Sequence, residues 1–205
     1  MKRNTLISQL VKNLEKDKKI LDIGCTDMPA ISINEEDILH KIIVDSAANK
    51  NQVLGIDINK EKIDKMNAAG YNCKYDNIAD TKLNEKFDLI IAGEIIEHVE
   101  DQGSFIRGLK HVLSKSGKIY ISTPNPNGIM SIAGYWLTAN ERGGEGHVLW
   151  QSPKTMKLLC ENNGLKLSRT YHCDWDYPEL WMIIGKPFEI FPRLKPTLLF
   201  EIEHI

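Results

Sequence analysis

KILDIG, residues 19–24, is a short apolar run that stops abruptly at a glycine. The same punctuation recurs downstream: QVLGID (52–57) ends at Asp57, FDLIIAGE (87–94) at Glu94, and GKIYISTP (117–124) at Pro124. Runs of Ile, Leu and Val without polar alternation predict strands buried on both faces, the pattern of a parallel sheet. Helical patterns long enough for crossovers lie between them. The predicted fold is therefore α/β and doubly wound. Such a sheet binds its ligand at the carboxyl ends of the strands, where the strand order reverses.

Before the first strand (19–23), residues 4–16 predict an amphipathic helix with Leu6, Ile7, Leu10, Val11 and Leu14 on one stripe. After it come a helix within 36–48, a strand at 53–57, and a helix at 60–69 with Asn59 as N-cap and Gly70 as stop. A short strand near 72–76, a strand at 87–92, a helix at 101–113 and a strand at 117–122 follow. Residues 124–150 are rich in Gly, Pro and Asn, show little regular pattern, and read as a lid over an active site. Ser152-Pro153 opens another helix, Asn163-Gly164 closes it, and strands near 166–172 and 197–203 end the chain. The segment 172–195, with Trp175 and Trp181, reads as a second part of the lid and acceptor region. No linker divides residues 1–205, so one domain is expected, with a cofactor-binding core at 19–123.

The 205 residues suffice for one full core. A net charge of −2 carries no general nucleic-acid footprint. The four cysteines, Cys25, Cys73, Cys160 and Cys173, form no C-x-x-C, which argues against a zinc site or a disulfide scaffold and fits a reducing, cytoplasmic setting. Lys12, Glu15 and Lys16 interrupt any signal-type core at the start, and no apolar run is long enough to span a bilayer. No membrane partner is expected; the oligomeric state is open between monomer and homodimer.

The glycine turn and Asp57 suggest a nucleoside-containing ligand. A dinucleotide is disfavoured, because Gly24-Cys25-Thr26-Asp27 lacks the second glycine of G-x-G-x-x-G and Asp57 lies too far along the chain. A ligand with a ribose but no phosphate needs only one sharp glycine turn and an acid to accept from the ribose hydroxyls. S-adenosylmethionine is such a ligand.

The ordered set ILDIGC, VLGIDIN, YDNIAD, FDLIIAGEIIEHVED and LSKSGKIYISTPNP, spanning roughly 19–125, resembles the class I S-adenosylmethionine-dependent methyltransferases. It is most similar to the ubiquinone-biosynthesis O-methyltransferase-like group, as is HVLWQSPKTMKLLCENNGL (147–165). The resemblance implies a seven-stranded, mostly parallel sheet with the last strand antiparallel. It places Asp22, Gly24 and Cys25 at the methionine end of the cofactor, and Asp57 and Ile58 at the ribose. Asp76, Asn77 and Ile78 fall at the adenine, and Gly93 and Glu94 beside the methyl group. Thr26 and Asp27 stand where small residues are usual, which weakens the expected affinity.

Glu94, Glu97 and His98 are spaced i, i+3, i+4 and would share one face of a helix. Together with His147 from GGEGHVLW they resemble the magnesium site of small-RNA terminal 2′-O-methyltransferases. Two readings stay open: a Mg²⁺ site of Glu94, Glu97, His98 and His147 that activates an acceptor hydroxyl, or a local role for Glu97 with His98 lining the cofactor pocket. Without a metal, His98 or His147 is the candidate catalytic base. Thr123-Pro124-Asn125-Pro126 superficially resembles a DNA amino-methylation motif but follows the wrong strand. Trp136, Trp150, Trp175 and Trp181 either stack on a planar acceptor or pack beneath the lid. The acceptor is expected to be a small molecule; an RNA methyltransferase and a non-catalytic cofactor-binding relative are the alternatives.

Overall fold

The computed structural model describes residues 1–26, 38–138, 146–174 and 191–205. Its elements are α1 (Arg3–Lys12), β1 (Ile20–Ile23), α2 (Leu39–Ser46), β2 (Val53–Asp57), α3 (Lys60–Ala68), β3 (Cys73–Tyr75), β4 (Phe87–Gly93), α4 (Gln102–Val112), β5 (Leu113–Pro124), α5 (Ile129–Thr138), α6 (Pro153–Asn162), β6 (Leu165–Cys173) and β7 (Thr197–His204). Seven strands form one sheet in the order β3-β2-β1-β4-β5-β7-β6. Strands β1 to β5 pair in parallel, and β7 runs antiparallel to both β5 and β6.

The uninterrupted apolar strands follow from burial on two sides. Leu21, Ile23, Leu54 and Ile56 point into one core with Phe105, Leu109 and Met156 from α4 and α6. Ile20, Val53, Leu89 and Ile91 point into a second core with Ile7, Val11 and Ile43 from α1 and α2. Strand order reverses beside β1, between β2 and β4, and this leaves a crevice at their carboxyl ends.

The predicted stops and starts operate locally. Asn59 accepts from the Lys62 amide, Gly70 ends α3 at φ +91°, and Ser152 and Thr155 form a capping box on α6 with Pro153 in its first turn. Three stretches differ from the sequence reading. α1 stops at Lys12 rather than 16, because Asn13 caps it, although Leu14 still packs on the core. β5 begins at Leu113, ahead of a register shift opposite Phe87–Leu89. Residues 124–150 are not uniformly irregular, since α5 lies within them. Its sequence IMSIAGYWLT is apolar all round, so no 3.6-residue stripe betrays a helix. Asp27, Trp175, Trp181 and most of the 172–195 segment lie outside the described residues. Among the described residues, no helix is long and apolar enough to cross a membrane.

Candidate active site

The crevice is a cavity of about 380 Å³ at the carboxyl ends of β1 and β2, walled by Gly24, Thr26, Asp57, Ile58, Asp76, Asn77, Ile78, Ile95, His98 and Phe105 among others. Gly24 makes it possible. Its φ is +73°, a conformation that strains any residue with a Cβ, and a Cβ there would also crowd the Ile95 side chain. Asp57 ends β2 with its carboxylate held at both oxygens. Oδ1 accepts from the Asn59 amide at 2.8 Å, and Oδ2 from the Thr26 hydroxyl at 2.7 Å and the Thr26 amide at 3.2 Å. Each oxygen keeps acceptor capacity for a diol. Thr26 thus positions the acid, a role hidden in a sequence where it only replaces a small turn residue.

On the adenine side expected from sequence, Asn77 accepts from the Ala79 amide and caps the Ile78–Asp80 turn. That bond suits an amide oxygen as well as a carboxylate. Asp76 accepts from the Thr81 hydroxyl at 2.7 Å. Four other candidates stand off the wall. Asp22 is buried and bonds His40 Nδ1 at 2.8 Å; burial raises its carboxyl above the ordinary range, against the pull of His40. Cys25 packs backwards with Ile63, Met66 and Cys73. Gly93 abuts Leu39. Glu94 sits at φ +55°, a costly conformation for a non-glycine residue. Its amide donates to Ser122 and its carboxylate meets Arg3 Nη1 at 3.2 Å.

The helical-face argument for Glu94, Glu97 and His98 does not hold. Ile96–His98 is a single 3₁₀ turn, so i, i+3 and i+4 do not stack, and Glu94 turns away to Arg3. The structure instead brings Glu97 and His98 together with His147, their ligand-capable atoms all within 4.8 Å of one another. The approach of His147 is built by backbone: the Val148 amide donates to the Glu97 carbonyl at 2.8 Å, and Gly146 O meets His98 Nδ1 at 3.1 Å. The His98 and His147 rings stack edge to face at 4.7 Å, with Trp150 beyond at 5.9 Å from His147. Both Glu97 carboxylate oxygens and His147 Nδ1 are buried without a hydrogen-bond partner. Burial, then the Glu94 charge, pushes Glu97 up to about 8, and burial pulls His147 down.

Orphaned acceptors of this kind call for a cation, a proton or an ordered water. In the cation-free protein the folded state keeps the Glu97 proton up to about 8, whereas the unfolded chain releases it near the ordinary 4.5. Folding stability therefore falls as pH rises through that window. Glu97→Gln is expected to flatten this slope and to melt higher than wild type at about pH 9, by an effect on the order of a few kcal/mol. Parallel melting curves of the two proteins across pH would contradict it.

Asn125 is not part of any such site. Its amide donates to the Arg193 and Lys195 carbonyls, tying β5 to the start of β7. A wider groove of about 720 Å³ lies at the opposite end of the sheet. Two of its lysines serve helix ends, Lys86 donating to the His111 carbonyl and Lys110 to that of Asn163.

A glycine-turned β1, an acid at the end of β2 and a seventh antiparallel strand define the methyltransferase architecture. The family model described as a methyltransferase domain matches residues 3–170, and the chain belongs to that family. The ubiquinone biosynthesis O-methyltransferase of Coxiella burnetii is 26% identical over 157 residues, covering 74% of this chain and 65% of that protein. The chain thus spans just under two thirds of that relative's length. Among solved structures, an S-adenosylmethionine-dependent methyltransferase from Mesorhizobium loti superposes with a TM-score of 0.62 at 18% identity, over 95% of this chain and 94% of that one. Magnesium protoporphyrin IX methyltransferase from Synechocystis, solved with bound S-adenosylhomocysteine, gives 0.63 at 14% identity over 98% and 83%.

Proposed function

We propose that this chain transfers the methyl group of S-adenosylmethionine to an oxygen of a small aromatic acceptor. The carrying observation is the Asp57 carboxylate, fixed by Thr26 and Asn59 at the wall of the β1–β2 cavity. The ribose diol would bond Asp57, and the adenine would lie between Ile58, Ile78 and Asn77. The oxygen acceptor is favoured by the O-methyltransferase name of the Coxiella relative. Tyr135, Trp136 and Leu137 of α5, exposed and following β5 at the same end of the sheet, supply apolar surface for a planar ring. Four free cysteines fit a cytoplasmic location.

The sulfonium donor is already activated, so the chain's work is alignment and proton removal. The acceptor oxygen attacks the methyl carbon, the carbon–sulfur bond breaks, and one proton leaves the acceptor. Glu97, His98 and His147 would hold a divalent cation, which when bound lowers the pKa of a coordinated hydroxyl. Two imidazoles and a carboxylate suit Mn²⁺, Fe²⁺ or Zn²⁺ better than the Mg²⁺ expected from sequence, an ion that prefers oxygen ligands. Without the cation, His98, which lines the cavity and whose Nδ1 donates to the Gly146 carbonyl, is placed to receive the proton at Nε2.

Methyl transfer to a panel of vicinal dihydroxy aromatics should be assayed with labelled S-adenosylmethionine, with Mn²⁺, Mg²⁺ or chelator. Turnover with Mn²⁺ that falls about 100-fold in His147→Ala is expected, together with loss of the Mn²⁺-induced rise in melting temperature. Labelling of copurified RNA and of no small acceptor would overturn the acceptor class. Identical activity in chelator would overturn the cation.

A further inference from the structure

Behind the glycine turn lies a chain of four buried reactive groups that methyl transfer does not use. Asp22 Oδ2 meets His40 Nδ1 at 2.8 Å, and His40 Nε2 meets Cys73 Sγ at 3.7 Å. His40 is 1% exposed and Asp22 2%. Cys73 in turn faces Cys25. A Cβ placed on Gly55 would fall 2.7 Å from Cys25 Sγ and 2.9 Å from Cys73 Sγ, so both sulfurs crowd over the one residue of β2 that has no side chain. Ile63, Met66 and Tyr71 pack in the same cluster. A carboxylate, an imidazole and a thiol in line is an arrangement that makes a thiolate.

Burial opposes a charged His40, but the bonds to Asp22 and Cys73 outweigh it and hold the imidazole up near 9. The Cys25 thiol first, and then His40, bring Cys73 down to about 6 against its own burial, while Cys25 is pushed up. The contact of His40 Nε2 with the Cys73 sulfur marks Cys73 as the nucleophile and leaves Cys25 as the resolving thiol.

We propose that Cys25 and Cys73 form a reversible disulfide on exposure to hydroperoxide, and that closing it weakens the adjoining cofactor cavity. The Cys73 thiolate attacks one peroxide oxygen; a sulfur–oxygen bond forms, the oxygen–oxygen bond breaks, and the leaving hydroxide departs as water with the proton held on His40. Cys25 then attacks the Cys73 sulfur. The sulfur–sulfur bond forms, the sulfur–oxygen bond breaks, and a second water leaves with the Cys25 proton. Two thiols lose two electrons, and one peroxide becomes two waters. Bond formation draws Cys25 toward β3, and with it the neighbouring Thr26 whose hydroxyl holds Asp57. This coupling rests on the reading of that cavity as the S-adenosylmethionine site; the disulfide itself does not.

The test treats the reduced full-length protein with hydrogen peroxide, quenches in acid, and maps cross-linked peptides by mass. A Cys25–Cys73 peptide is expected, absent in Cys73→Ser and formed about tenfold more slowly in His40→Asn at neutral pH, with recovery as pH rises. Calorimetry with S-adenosylhomocysteine should then give a Kd about tenfold weaker for the oxidised protein, restored by dithiothreitol, while peroxide-treated Cys73→Ser binds like the reduced protein. Free thiols at both positions after treatment, or a link through Cys160 or Cys173, would overturn the disulfide. A Cys25–Cys73 link with unchanged Kd would overturn the coupling. Absence of binding in the reduced protein would count against the cofactor site alone, because the peptide map decides the disulfide without it.

Discussion

Gly108→Ala is expected to unfold this protein more readily and to abolish cofactor binding, although alanine is the better helix former. A Cβ on Gly108 would fall 1.8 Å from the Ile78 carbonyl oxygen and 2.7 Å from its carbonyl carbon. Both are backbone atoms, so no side chain can swing aside. The helix propensity gained is about 1 kcal/mol, whereas overpacking costs about 1 to 3 kcal/mol, and the upper end applies here because only backbone can give way. The loss wins. Its consequence reaches function because the displaced turn, Ile78–Asp80, is capped by Asn77, and both Asn77 and Ile78 wall the cavity. Thermal melting should show a drop of several degrees, about 4 °C per kcal/mol or less at this chain length. A variant as stable as wild type would mean that α4 does not press on this turn.

Asp57→Ala should leave the fold intact and weaken S-adenosylhomocysteine at least about 100-fold. Two charge-assisted hydrogen bonds are lost, each worth about 1.5 to 3 kcal/mol. The part-buried carboxylate closes β2 rather than filling a core. Thr26→Ala should give a smaller loss, on the order of tenfold, since it frees the acid without removing it. Equal effects of the two would make Thr26 a direct ligand instead of a positioning residue.

The fold was legible because its strands announce themselves. Ile20–Ile23, Val53–Asp57 and Phe87–Gly93 are buried on both faces and carry no competing helical period. Gly70 and the Ser152-Pro153 pair mark boundaries by local chemistry that tertiary packing does not override. Helix α5 was not legible, because a helix apolar on all sides has no stripe. The reach of the site was partly legible. Asp57 and Gly24 stand at a strand end and a turn that the sequence marks, and the ring of His147, expected from a distant segment, lies 4.7 Å from that of His98. The Glu94–Glu97–His98 face failed because periodicity presumes an α-helix, and the left-handed Glu94 followed by one 3₁₀ turn breaks that presumption. The clamp of Thr26 on Asp57 and the Asp22–His40–Cys73 line join residues from different strands and helices. Spacing along the chain carries no trace of either.

The most direct test is calorimetric titration of the reduced wild-type protein with S-adenosylhomocysteine, beside the same titration of Asp57→Ala. Micromolar, one-to-one binding that disappears in the variant is the predicted result. Wild-type protein that is folded by circular dichroism yet takes up no ligand would contradict the assignment of the β1–β2 cavity to the methyl donor.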